Sequence, residues 1–174
     1  MCECKIYDEM RIVWLKHVWW TREVILAIAA GAPWTNESVA KLLENPAEMA
    51  AVFAPFTSHQ NQTQMIDLFK THLSLGGDIV TAAKAGDTAR VSNLQTQWHQ
   101  NADQIAHLMA GFGLGYDEAE VRKMMYTHLQ LTTDEATQVL GGKYAQAIAT
   151  FDRVQNEALM MADYFACGII NSGY

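Results

Sequence analysis

The sequence has little of what interrupts or staples a fold. Its 174 residues hold only three prolines, Pro33, Pro46 and Pro55, all within one short stretch. Elsewhere nothing forbids long helices. Cysteines number three, so they cannot all pair within one chain. That usage suits a reducing compartment better than a disulfide-stapled secreted domain. Cys2-x-Cys4 has the look of half a metal clasp, but no second cysteine pair follows, and it reads as a bland terminal pair. Apolar runs are short. The longest, Val24 to Ala30, falls far below the ~20 residues of a membrane span. Basic residues are scarce, with 12 Lys and Arg against 19 Asp and Glu and a net charge of -7. Nucleic-acid affinity comes mainly from phosphate neutralisation, so the missing basic stripe argues against nucleic acid and against an anionic membrane surface. The first residues carry one lysine and then Ile6-Tyr7-Asp8-Glu9, with no apolar signal region. The expectation is a cytoplasmic protein without a signal peptide or transmembrane segment.

What is present is helical. Hydrophobic residues make up 50 % and charged residues 18 %, a globular composition. The length fits one domain, 1–174, with residues 1–6 expected as a loose terminus. Glycines are the remaining breakers, and the text between them shows helical period with almost no β-branched alternation. Four long helices are expected: about Tyr7 to Ala30, Gln60 to Ala85, Asp87 to Ala110 and Lys143 to Ile170. Shorter ones follow Thr35-Asn36-Glu37-Ser38, start at Pro46, run from Asp117 to Gln130 and from Thr133 to Leu140. The fold class is therefore all-α, a four-helix bundle with short helices in the connections.

At 100° per residue each long helix has an apolar stripe, and each stripe holds a polar intruder. His17 lies among Met10, Val13, Trp14, Trp20 and Val24. His72 lies among Phe69, Leu75, Gly76 and Ile79. Asn101 sits between Trp98 and Ile105, and Gln155 at the edge of the stripe through Phe151, Val154 and Ala158. All four fall near mid-helix, within roughly 3 Å of one level at 1.5 Å rise per residue. His128 joins them from a shorter helix. Burying an unpaired polar group costs ~1–3 kcal/mol, so such a layer meets itself, water or a ligand.

Two readings of the layer stand side by side. In the first, His17, His72 and His128 hold a divalent transition metal. Three imidazoles and an open fourth position suit zinc. Thr21, Asn101, Gln155, Trp20, Trp98 and Asp152 would then orient the ligands or line the pocket. An enzyme of this kind would carry out metal-assisted hydrolysis or transfer. In the second, the protein is a non-enzymatic interaction or scaffold protein whose polar layer only fixes packing. No carboxylate is expected at the centre of a stripe, and no Glu-x-x-His pair occurs, which excludes a ferritin-like di-iron site. His99, Asp103 and His107 share a face but point some 120–160° from the core and read as solvated. No nucleophile elbow, Walker loop or dinucleotide fingerprint is present. A second apolar stripe on the first helix, around Leu15, Trp19 and Leu26, offers a surface for a homo-oligomer.

These residues also resemble a family of small bacterial helical proteins without established biochemistry. The shared runs are His17-Val18-Trp19-Trp20-Thr21-Arg22, Lys70-Thr71-His72, and Ala82 to Asp87. They continue with Trp98 and Asn101-Ala102-Asp103-Gln104-Ile105-Ala106, then His128-Leu129-Gln130-Leu131-Thr132, Phe151-Asp152-Arg153-Val154 and Ala158 to Asp163. The resemblance covers most of the chain from about residue 10. It implies a histidine in relatives where this chain has Gln155. Some members are labelled glycosyltransferase or acetylglutamate kinase. Those enzymes use α/β scaffolds with nucleotide-phosphate loops, and this sequence shows neither.

Overall fold

The computed structural model describes residues 3–173. Among them it has no strand and seven helices: α1 (Glu3–Ala30), α2 (Thr35–Leu42), α3 (Asn45–Phe53), α4 (His59–Lys84), α5 (Thr88–Ala110), α6 (Glu118–Leu140) and α7 (Tyr144–Asn171). The protein is an all-α bundle. No helix among the described residues is long and apolar enough to cross a membrane. The terminus expected to be loose is helical from Glu3 onward, and Ile6 is buried. Cys2 lies outside the described residues.

Local signals explain most boundaries. Ser58, Asp87 and Asp117 each accept a backbone N–H at the start of α4, α5 and α6, as N-cap residues do. Pro46 sits in the first turn of α3, where its missing N–H costs nothing. One boundary differs from the expectation. The segments 117–130 and 133–140 are a single helix of 23 residues, α6. Leu131 and Thr132 between them do not break it, and the Thr132 hydroxyl donates to the His128 carbonyl oxygen one turn back (2.9 Å). This helix is thus a full member of the bundle rather than two lids.

Contacts between helices set their directions. Arg11 pairs with Asp163 and Trp19 meets Phe151, so α1 and α7 are antiparallel. Asn101 meets His72 while Arg90 nears Asp78, and His107 meets Glu118 while His99 meets Tyr126, so α5 runs against both α4 and α6. Trp14 packs on Phe69 and the Lys84 ammonium donates to the Ile28 carbonyl oxygen, so α1 and α4 run parallel. That parallel pair needs a long return, and α2 and α3 supply it. Of the five long helices, α1, α4 and α6 point one way, and α5 and α7 the other.

The main core fills the half of the bundle holding the N-terminal ends of α1, α4 and α6. Its centre is aromatic: Trp14 stacks on Phe165 (5.7 Å between centroids), with Phe69 and Phe53 edge-on. Smaller apolar groups around Ile25, Val80, Ala136 and Val139, and around Val24, Leu42 and Leu73, fill the other half. The α5–α6 loop is docked on α7. The Tyr116 hydroxyl donates to the Phe165 carbonyl oxygen (2.6 Å), and the Asp117 N–H to the Tyr164 hydroxyl (2.9 Å).

Two helix-interior glycines have opposite surroundings. A Cβ on Gly168 would lie 2.0 Å from Cε1 of Tyr116 and 2.9 Å from the Leu114 carbonyl oxygen. A Cβ on Gly77 would meet nothing within 4 Å. Gly168→Ala should therefore lower stability by about 1–3 kcal/mol through overpacking. Gly77→Ala should raise it by up to ~1 kcal/mol through helix propensity. Urea unfolding of the two variants beside wild type checks both signs.

Candidate functional site

The boundary between the two halves of the core is polar. His17, His72 and His128 come from α1, α4 and α6, and each is only 2 % exposed. The His17 and His128 ring centroids are 5.5 Å apart, and those of His72 and His128 6.5 Å. All three line one cavity of about 40 Å³ with Thr21, Trp98 and Thr132. By this measure it holds about two or three water molecules.

One nitrogen of each ring faces an oxygen from a different helix. Asn45 at the start of α3 donates its amide N–H to the Val13 carbonyl oxygen (3.0 Å), so its Oδ1 must accept from His17 Nδ1–H (3.1 Å). Asn101 repeats the arrangement. Its amide donates to the Leu68 carbonyl oxygen (3.0 Å), and its Oδ1 accepts from His72 Nδ1–H (2.8 Å). His128 Nδ1 lies 3.3 Å from the Glu157 carboxylate, too poorly aligned for a hydrogen bond. These contacts fix the Nδ1–H tautomer of His17 and His72 and leave Nε2 as a lone-pair acceptor. The His72 Nε2 is buried and has no partner. Trp98 holds the same turn of α4, its indole N–H donating to the His72 carbonyl oxygen (3.0 Å).

Burial keeps His17 and His72 neutral. Desolvation, with the neighbouring His128 and His72 adding to it, lowers the His17 pKa to about 3. Desolvation and His128 lower that of His72 to about 3, while its bond to Asn101 works the other way. Neutral imidazole is the form that binds a metal ion.

Several placements differ from the expectation. Gln155 is half-buried and does not line the cavity; the α7 residue that meets a site histidine is Glu157, beside His128. The two positions are 200° apart on the helix, so only one can face the site. Asp152 is exposed. Trp20 is half-buried and lines an outer groove with Trp19 and Trp34. Thr21 and Trp98 do line the cavity, and Asn101 binds His72. His99, Asp103 and His107 lie outside the core, with Asp103 bonded to Arg122 and Tyr126 and His107 to Glu118. On the second stripe of α1, Trp19 is 57 % exposed, whereas Leu15 and Leu26 are half-buried.

Sequence reasoning missed three contributors. Asn45 looks like an ordinary residue ahead of a proline. Glu157 shares the α7 stripe of Thr150, Val154 and Met161, and reading that stripe more broadly finds it. Glu135 is 1 % exposed and lies two turns beyond His128; it emerges once α6 is read through Thr132. Its carboxylate pairs with Arg22, whose guanidinium lies 4.6 Å from the centre of the Phe151 ring. Burial raises the Glu135 carboxyl above the usual range, and Arg22 opposes that. The interior thus holds two carboxylates, Glu135 and Glu157, where none was expected at the centre of a stripe. As placed, no group of three His, Cys, Asp or Glu among the described residues is disposed to hold a metal ion.

Two outcomes follow. Unfolded chains protonate His17 and His72 near pH 6.5, but the folded metal-free protein does so only near pH 3. Their contribution is complete above pH 6.5 and is lost as the pH falls toward 3, at roughly 1.4 kcal/mol per unit for each. Urea unfolding at pH 7 and pH 5 should show the loss, and replacing both histidines by asparagine should flatten it. Separately, His72→Leu orphans Asn101 Oδ1 and should cost about 1–3 kcal/mol, while Asn101→Leu added to it should recover much of that. A double-mutant cycle by thermal unfolding measures the coupling.

Comparison of the chain with family models, with curated proteins and with solved structures finds no match, so the chemistry of this site is argued from its own residues.

Proposed function

We propose that this protein is a metal-binding bundle, with a divalent transition ion, zinc by preference, held at Nε2 of His17, His72 and His128. The observation that carries the reading is the shared orientation of the three rings. Each has Nδ1 turned to an oxygen of another helix, namely Asn45, Asn101 and Glu157. Outer partners of this kind fix the tautomer and raise the basicity of metal-ligating histidines. The two asparagines leave the Nε2 lone pairs of His17 and His72, and a neutral acceptor buried without a partner, as His72 Nε2 is, needs a cation or a donor beside it.

Two of the three ring spacings bear on the same reading. Two imidazoles on one tetrahedral zinc, at ~2.0–2.1 Å per Zn–N bond, have centroids roughly 5 Å apart. The His17–His128 spacing of 5.5 Å is near that value, and the His72–His128 spacing of 6.5 Å requires closure by about 1 Å. Three neutral ligands leave the ion's double charge uncompensated, and the Glu157 carboxylate beside His128 offsets part of it. A fourth position open to the cavity is what metal-assisted hydrolysis or transfer would use.

The wider His72–His128 spacing favours the competing reading, a packing layer closed by water. Elemental mass spectrometry decides between them. Untagged protein prepared without chelator should carry about one zinc, copper, nickel or iron per chain. A His17→Ala/His72→Ala variant with unchanged helical circular dichroism should carry none. No metal in wild type after reloading, or equal metal in the variant, defeats the proposal; His72→Gln serves if the double variant does not fold.

A further inference from the structure

The cavity at the histidines lies behind a surface groove on one side, with the buried Val24, Leu42 and Leu73 between them. It shares Val24, Leu42, Leu73 and Gly77 with a groove between α1, α2 and α4. The wall between them is thin where α4 carries Gly76 and Gly77. Two glycines inside a 26-residue helix cost roughly 1 kcal/mol each relative to alanine. Packing demands neither. A Cβ on Gly76 would sit 3.6 Å from Trp98, an ordinary contact, and one on Gly77 would meet nothing within 4 Å. Neither has a positive φ. What the pair provides is unfilled space where cavity and groove meet.

The lining defines what could use that space. The cavity has no Lys, Arg, Asp or Glu on its wall. Arg22, the nearest guanidinium on α1, is turned to Glu135 instead. Val24, Ile25, Leu42, Leu73, Val80 and Ala136 make the wall apolar. The Thr21 and Thr132 hydroxyls spend their protons on the His17 and His128 carbonyl oxygens (2.8 and 2.9 Å), so they offer only lone pairs inward. The groove's one charged residue is an acid, Asp78, which is 3.9 Å from Arg90. An anion would meet no fixed positive charge along this path and would lose its hydration.

We infer that a small, uncharged, mostly apolar molecule reaches His17, His72 and His128 through this groove, passing over Gly77 between Leu42 and Leu73. Only a few of its heavy atoms can stand beside the histidines, given about 40 Å³ there. The final contact rests on the metal reading; the route does not.

The test loads the protein with cobalt(II) and adds ethanethiol or 2-mercaptoethanesulfonate, which share a thiol and differ in tail charge. Thiolate-to-cobalt absorption should appear with ethanethiol at a concentration at least ~10-fold lower than with the sulfonate. Gly77→Leu, with the cobalt content and circular dichroism of wild type, should slow its appearance at least ~10-fold, and Leu42→Ala should hasten it. Equal or better binding of the sulfonate, or an unchanged rate in Gly77→Leu, overturns the proposal. If wild type takes up no cobalt, the metal reading fails, and a metal-free measurement decides the route. Diethyl pyrocarbonate acylation of His17, His72 and His128 is then followed by mass spectrometry against the exposed His59, His99 and His107. Gly77→Leu should lower the buried-to-exposed ratio at least ~10-fold, and an unchanged ratio overturns the route.

Discussion

The arrangement at the centre of this bundle depends on one kind of contact: an imidazole nitrogen held by an oxygen that arrives from another helix. Asn45 does this for His17 and Asn101 for His72. Each asparagine is itself locked by donating to a backbone carbonyl, of Val13 and of Leu68. An amide so placed has only its oxygen to offer. The ring must then present N–H on that side and a lone pair on the other. Register of α3 on α1, and of α5 on α4, becomes tied to the protonation pattern of the site. Packing alone would not choose that register, since the apolar stripes on either side are interchangeable over a turn.

The same contact organises the interior. An aromatic core lies on one side of the histidines, and smaller aliphatic groups lie on the other. Neutral rings are tolerated at such a boundary, because burial has moved His17 and His72 far from protonation. Ionised groups are tolerated only in company. Glu135 sits against Arg22. Breaking that pair would strand a charge, which costs more than the pair contributes.

Much of this was readable from residue spacing. The periodicity gives an all-α bundle, and the mid-helix positions of His17, His72 and Asn101 give a polar layer. Spacing failed where geometry depends on a partner out of view. Asn45 earns its role only because α3 folds back onto α1 over 28 positions of chain. Glu157 and Gln155 are near neighbours in sequence and opposite on α7, and the stripe alone ranks them poorly, since α7 is buried over a wide face. Glu135 was hidden because 117–130 and 133–140 read as separate short helices, where α6 is continuous. A local pattern shows which face is apolar; it does not show which polar residue on that face is met from across the core.

The unequal helix directions have an electrostatic consequence. At one end of the bundle α1, α4 and α6 finish while α5 and α7 begin. Each helix carries about half a negative charge at its C-terminus and half a positive charge at its N-terminus, so three ends against two leave a residual negative pole of roughly half a unit. Lys84 sits there with its ammonium on the Ile28 carbonyl oxygen (2.6 Å), a cation supplied by one helix to the unsatisfied end of its parallel neighbour. The opposite pole is positive by the same margin, and acids gather at it: Glu3 in the first turn of α1, and Glu118 and Glu120 in that of α6. An odd number of long helices thus makes the molecule a weak axial dipole.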